Sequence, residues 1–359
     1  ARRRREINRV THSDSSFARI VTRGMWQVDK GWLNQDFTSG EIRIGVCPNS
    51  YEEMTMGGFA SIGECMIELS GGDSDQWRMG YAGDTLNTAW YMRALTDPSF
   101  PVDYVSAFGE DDFSQKQRAF LDANGIGTAH SPIIKGVHPG LYAITLNGAE
   151  RSFTYWRSDA AAKRLASDKD ALRASLTDRD MIYFSGISVG IVFPEHRETL
   201  FEVLRECRAN GALIAFDPNF RHQLWPDREA AKKIISEAMQ LSDIALPTFP
   251  DEQALYGDET SQACAERLVG LGVKEIIVKD GTEPALVIAD GQQSLVPSVK
   301  ANAVDTTGAG DSFNGGYLAA RLKGLSPVEA AEKAHAVAAR VVEIRGALAP
   351  MDTARAAYS

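Results

Sequence analysis

"AVDTTGAGDSFNGGYLAARL", residues 303–322, decides how this chain is read. Gly308 and Gly310 permit backbone angles closed to other residues, and a helix-forming run comes directly after them. With no side chains in the way, the N–H groups of Gly308, Ala309 and Gly310 can converge on one point. The start of the helix adds unpaired N–H groups and the positive end of its dipole. Together these make an anion hole, and Asp311 sits at its mouth. A carboxylate placed there suits a general base that takes a hydroxyl proton during phosphoryl transfer. A plainer reading stands beside this one: Thr307 or Asp311 caps a helix, and the glycines only make a tight turn. The chain has no Gly-Lys dipeptide, so a Walker A loop is excluded. No protein-kinase catalytic loop is present either. Any phosphate handling falls to this stretch.

Composition narrows the rest. The 359 residues suit one large α/β domain or two smaller ones. Hydrophobic residues at 44% and charged residues at 24% are ordinary for a globular chain. A net charge of -10 argues against a nucleic-acid binder. It leaves room for an acidic small molecule held by a local pair of arginines. Cys47, Cys65, Cys207 and Cys264 are scattered and form no C-x-x-C pair, which reads as reduced thiols. The histidines have no metal-ligand spacing. No run of 18 apolar residues and no secretory segment is visible, so the expectation is a cytoplasmic protein with no membrane span and no nucleic-acid partner.

Residues 1–57 differ from the rest of the chain. "ARRRREINRVTHSDSS" is basic and polar, and the remainder of this segment is turn-rich with poor periodicity. The expectation is a poorly ordered extension, or an upstream segment ahead of a start near Met54 or Met56. From Gly58 the pattern is regular. "GFASIGECMIEL" predicts a strand that breaks at Gly63. "DFSQKQRAFLDANG" predicts a helix closed by Gly125. "GLYAITLNGAERSFTYWR" predicts a hairpin turning at Asn147–Gly148. Then strands "MIYFSG", "ALIAFDPN", "DIALPT" and "EIIVKDG" alternate with helical stretches. This rhythm predicts βαβ units around a mainly parallel sheet. The hairpin interrupts it and fits a small lid at the strand ends. "SPVEAAEKAHAVAARVV" predicts a last helix with Ser326 and Glu329 as a capping box.

"DTTGAGDSFNGGYLA" resembles the C-terminal signature of the ribokinase-like (phosphofructokinase-B type) sugar kinases. "GYAGDTLNTAWYMRAL", residues 80–95, is similar to their N-terminal sugar-binding element. The resemblance covers 58–350. It implies an α/β fold with a central, mostly parallel sheet flanked by helices and a small β lid, its strands near 64–80 and 138–157. Residues 351–359 are left as a tail. Three further stretches, 63–70, 139–163 and 216–226, resemble the branch that phosphorylates the 6-hydroxyl of an open-chain keto-deoxy sugar acid.

Roles are assigned motif by motif. Asp311 would be the base, and Gly308, Ala309 and Gly310 would steady the transferring phosphoryl group. Gly83, Asp84 and Asn87 resemble the hydroxyl-binding set, although Asp84 could equally cap its helix. Tyr142, Tyr155 and Arg157 would line the lid side. The tyrosines could instead be hairpin core. Arg157 and Arg221, on separate elements, can hold a carboxylate by charge-assisted bonds, or they are surface ion-pair partners. Asn219, Arg221, Lys279 and Gly281 would border the nucleotide, near strand ends where open α/β sheets place ligands. The resemblance implies ATP and Mg²⁺, with a monovalent cation as an optional addition, and a homo-oligomer by analogy. Two departures stand out. Ala82 replaces the first of two glycines, and Thr248 in "PTFPDE" replaces an asparagine, leaving Asp251 or Glu252 to act on Mg²⁺ through water. Competing readings are another carbohydrate kinase of this fold, for fructose, ribose or a related sugar acid, and a sugar-binding regulator without catalysis.

Overall fold

The structure is a computed structural model that describes residues 25–28, 31–35, 42–45, 57–71, 76–147 and 150–359. Two compact units divide the chain near residue 55. Within the first, β1 (Met25–Val28), β2 (Gly31–Gln35) and β3 (Ile42–Gly45) form a three-stranded antiparallel sheet. The rest of the expected extension lies outside the described residues.

The second unit begins with β4 (Gly58–Ile62), β5 (Met66–Ser70), β6 (Arg78–Ala82) and α1 (Asp84–Leu95). β7 (Val102–Val105), β8 (Phe108–Gly109), α2 (Asp112–Ala123) and β9 (Ile133–Ile134) come next. The hairpin is β10 (Leu141–Asn147) and β11 (Glu150–Trp156). After it stand α3 (Lys169–Leu176), β12 (Arg179–Ser185), α4 (Gly186–Ile191), α5 (Pro194–Ala209), β13 (Leu213–Asp217) and α6 (Arg228–Leu241). The chain continues through β14 (Ile244–Ala245), α7 (Phe249–Tyr256), α8 (Ser261–Gly270), β15 (Glu275–Val278), β16 (Ala285–Ala289) and β17 (Gln292–Val296). It closes with α9 (Ala309–Leu322), α10 (Pro327–Val341) and α11 (Met351–Tyr358).

An eight-stranded sheet in the order β17-β16-β15-β14-β13-β12-β4-β7 forms the centre. Its strands from β7 to β15 pair in parallel, and β16 and β17 add an antiparallel edge. The central strands are buried on both faces, as a sheet covered by helices requires, whereas the edge strand β17 is largely exposed. Alternation sorts the residues. Phe59, Tyr183 and Ala215 face a core shared with α1, α9, α10 and α11. Ala60, Ile62, Ile182, Phe184, Ile214 and Phe216 face the core of α5, α6 and α8. A four-stranded sheet, β11-β10-β5-β6, stands apart as the lid, with a small core of Met66, Ala82, Tyr142 and Ile144. Ala82, at the departure from the glycine pair, puts its methyl group into this core.

Four local differences from the sequence reading are informative. The hairpin register pairs Asn147 with Glu150, so Asn147, expected in the turn, belongs to the strand. The pairs Tyr142–Tyr155 and Ile144–Phe153 fix that register better than a turn dipeptide does. The β16–β17 hairpin was not anticipated, although Asp290–Gly291 carries its signal. Both residues have positive φ, 50° and 72°, as a two-residue type I′ turn needs. Helices α3 and α4 were also missed. The expected tail, 351–359, holds α11, which buries Ala354 against the core. The Ser326–Glu329 capping box forms as read. Cys65, Cys207 and Cys264 are buried free thiols, and Cys47 lies outside the described residues. Among the described residues, no helix is long and apolar enough to cross a membrane.

Candidate active site

The parallel strands β4, β12, β13, β14 and β15 end on one side of the sheet. There, beneath the lid, lies a cavity of about 550 Å³. It gathers Gly83, Asp84, Asn87, Tyr142, Tyr155, Asn219, Arg221, Asp251, Lys279, Gly281, Gly308, Ala309, Gly310 and Asp311. These residues come from places up to 228 positions apart in sequence, Gly83 to Asp311. The strand ends and two helix starts bring them to one wall.

The floor is a hydrogen-bonded network. Asn87, one turn into α1, donates to Asp311 Oδ2 at 2.8 Å. Thr88 donates to the Asp311 carbonyl at 3.3 Å. Asn219 donates to Asp84 Oδ2 at 2.8 Å, so Asp84 is tied to the end of β13 as well as starting α1. Asn219 itself holds a positive φ of 35°, uncommon for a residue with a side chain. Lys279, just beyond β15, donates to Asp217 Oδ2 at 2.8 Å and to Asn314 Oδ1 at 2.9 Å. Asn314 returns a bond to Asp217 at 2.7 Å. Sequence reasoning missed Asp217 and Asn314. Asn314 stands three residues after Asp311, hence on the same helix face, and Asp217 opens the quoted Asp-Pro-Asn.

Asp84, Asp217 and Asp311 crowd one another, and this sets the electrostatics. Asp311 keeps part of its surface open to the cavity but is hemmed in elsewhere. Burial, then the Asp84 charge, pushes its carboxyl up to about 7, against the Asn87 hydrogen bond and Lys279. Burial likewise raises Asp84, with the Ser185 and Asn219 hydrogen bonds opposing. A carboxyl poised near neutrality can accept a proton and is suited to general-base work.

The anion hole is smaller than the sequence suggested. Gly308 is the N-cap of α9 in the left-handed region, at φ 77°. A Cβ there would meet the Ala347 carbonyl at 2.9 Å. The Ala309 N–H already donates to the Thr306 carbonyl at 3.2 Å, so it is not aimed at a ligand. The first intrahelical bond runs from Ser312 to Gly308. The first-turn N–H groups of Gly310 and Asp311 therefore precede the helical ladder. A Cβ on Gly310 would meet only Lys279 Nζ, at 3.6 Å. The protein's own packing does not require glycine there.

Two expected residues stand elsewhere. Arg157 does not line the cavity. Its Nη2 pairs with the buried Glu64, and it borders a separate hollow with His138 and Trp156. Glu252 is fully buried behind the wall, where Arg267 holds it at 2.6 Å. Burial pushes its carboxyl up to about 7. The cause is the helical turn of α7, which points adjacent residues in different directions. Asp251 faces the cavity, and Arg221 Nη1 meets it at 3.2 Å. Thr248 occupies the N-cap position of α7 without making a side-chain cap bond, and it lines the cavity instead.

The comparisons with known proteins agree with this geometry. The model of the pfkB family of carbohydrate kinases matches residues 56–354. The chain is 42% identical over 301 residues to the 2-dehydro-3-deoxygluconokinase of Escherichia coli K12, covering 82% of this chain and 97% of the relative. It is 41% identical to the enzyme of that name from Dickeya dadantii, covering 83% and 99%. Among solved structures, a fructokinase from Xylella fastidiosa with bound ATP superposes with a TM-score of 0.73 at 23% identity, covering 83% of this chain and 97% of that one. The 2-dehydro-3-deoxygluconokinase of Thermotoga maritima gives a TM-score of 0.72 at 20% identity, covering 84% and 98%. The last two likenesses establish the ribokinase-like fold, and the family model with the 42% relative carries the assignment: this chain belongs to the pfkB family of carbohydrate kinases.

Proposed function

We propose that the protein transfers the γ-phosphoryl group of ATP to the 6-hydroxyl of 2-keto-3-deoxygluconate, giving the 6-phosphate and ADP. The observation that carries this reading is Asp311. It stands at the mouth of the α9 N-terminus, is open to the cavity, and titrates near neutrality. The identity to two 2-dehydro-3-deoxygluconokinases supports the substrate class.

In this reading the sugar acid lies between α1 and the lid. Asp84 and Asn87 meet its hydroxyls, and Tyr142 and Tyr155 cover it. Asp311 takes the proton from the attacking hydroxyl. The first-turn N–H groups of α9 face the oxygens where charge grows. Lys279, Asn219 and Gly281 border the nucleotide. Mg²⁺ fits the donor set through Asp251, whose hard carboxylate oxygens line the cavity wall. When bound, it would neutralise phosphate charge. Lid closure keeps water from the γ-phosphate. ATP as co-substrate suits the cytoplasm. The exposed Trp77, Met79 and Trp156 on the lid are compatible with a homo-oligomer.

The second reading is a kinase for fructose, ribose or a related neutral sugar. One observation favours it: Arg157 is engaged by Glu64 and Arg221 by Asp251, so both carboxylate-binding candidates already have acidic partners. A coupled ATPase assay over sugar acids and neutral sugars separates the two. The sugar acid is expected to be the best substrate. Arg157→Ala is expected to raise its KM roughly tenfold or more, the worth of one charge-assisted bond. Unchanged KM would sink the acid-specific reading. Asp311→Asn is expected to lower kcat by about 10²–10⁴-fold while nucleotide binding persists. Turnover at the wild-type rate would remove Asp311 as the base.

A further inference from the structure

Four chain segments join the lid to the body: Gly63–Cys65 into β5, Gly83 out of β6, Gly140 into β10 and Arg157 out of β11. One residue, Glu64, touches the other three. Its main-chain carbonyl lies against Gly83, where an added Cβ would come within 2.1 Å. Its Oε1 lies against Gly140, where an added Cβ would come within 2.4 Å. Its Oε2 pairs with Arg157 Nη2.

The Glu64 side chain is 1% exposed, and Arg157 is 17% exposed. A buried carboxylate is unfavourable unless a charge compensates it. Burial raises its pKa, while Arg157 and then Lys163 favour the charged form. Asp84, from α1, is the other acid that bears on it. Glu64 does not line the cavity, so the transfer chemistry has no direct use for it.

We propose that Glu64 is a positioning residue for substrate recognition: it holds the Arg157 guanidinium at the lid crossing, just outside the cavity and against the ring of Tyr155, which lines it, so that lid closure brings the remaining donors of Arg157 to the substrate carboxylate. The proposal rests on the sugar-acid reading of Arg157 given above. Arginine presents five N–H donors on a planar fork, and Glu64 engages one edge. The Arg157 Cζ sits 5.9 Å from the ring centre of Tyr155, which does line the cavity. Glu64 and Arg157 both belong to the crossings, so the pair stays together when the outer lid strands move. Held in this way, the arginine loses less rotamer freedom on binding substrate.

A double-mutant cycle in the full chain tests this. Glu64→Gln keeps the shape and removes the charge. It is expected to raise KM for 2-keto-3-deoxygluconate roughly tenfold. The turnover number and KM for ATP are expected to stay within about twofold. In an Arg157→Ala background the same change should have almost no further effect on KM, because Glu64 acts through Arg157. Equal effects in both backgrounds, or a fall in kcat with KM for ATP also disturbed, would overturn the proposal. An Arg157→Ala enzyme with unchanged sugar-acid KM would instead remove the reading beneath it. If Glu64→Gln fails to fold, a crystal structure of the wild-type protein with the sugar acid decides. Arg157 bridging Glu64 and the substrate carboxylate supports the proposal, and Arg157 released from Glu64 overturns it.

Discussion

The floor of the cavity and its lid are built on different principles. The floor is a set of buried charges locked by short hydrogen bonds: Lys279, Asp217 and Asn314 are all less than a tenth exposed. The lid is a thin sheet with a core of four residues and several exposed aromatics, among them Phe153, Tyr155 and Trp156. A reaction that must place a proton and a phosphoryl group within a fraction of an ångström needs rigid groups. A cover that must admit and release substrate cannot be so firmly packed. On the proposed reading, the chemistry belongs to the floor and the choice of substrate to the lid.

The largest effect is expected from breaking the floor. Asp217→Ala would leave Lys279 buried without its carboxylate, and the Asn314 and Asn219 donors would lose their acceptor. Loss of one partner of a buried pair costs about 3–5 kcal/mol. Denaturant unfolding should show it, with activity lost. A change under about 1 kcal/mol would mean that the floor is not a locked network. The corresponding cut in the lid is Tyr155→Ala. Tyr155 is 50% exposed, so stability should change by roughly 0.5 kcal/mol or less. KM for the sugar acid should still rise several-fold, on the order of one aromatic contact. A large loss of stability with KM untouched would reverse the roles assigned to floor and lid.

The same contrast explains what could be read from sequence. The parallel sheet was legible because its strands and helices alternate over a long stretch, and each carries its own periodicity. Asp311, Asn87 and Asp84 were legible because a glycine turn and two helix starts are local signals. Asp217 and Asn314 were not, because their importance lies in a partner, Lys279, 62 and 35 residues away. Arg157 was expected to hold the carboxylate of a substrate; here its partner is Glu64, on a distant segment of the chain. No spacing rule links residues 64 and 157. Glu252 and Asp251 could not be separated from their sequence, since only the orientation of α7 decides which of them faces the cavity. The Asp290–Gly291 turn was a local signal that was present and not used.

The smallest expected effect probes how the floor stores charge. The Asp311 carboxyl is pushed up to about 7 by burial and by Asp84, whereas an unfolded chain would titrate it near ~3.9. Between those values the folded protein holds a proton that the unfolded chain has released. The stability this contributes is complete below the unfolded value and is lost as pH rises through about 7. Asp311→Asn cannot ionise, and its amide oxygen can still accept the bond that Asn87 donates. The variant should therefore melt close to the wild type at about pH 4 and a few degrees higher at about pH 8. The wild-type kcat/KM should rise over the same interval as the base loses its proton. The group that makes the floor reactive would then be the one that makes it less stable, a trade common at catalytic sites. If the variant melted lower at the higher pH, Lys279 would be compensating Asp311 fully, and the carboxylate would be a structural anion rather than a poised base.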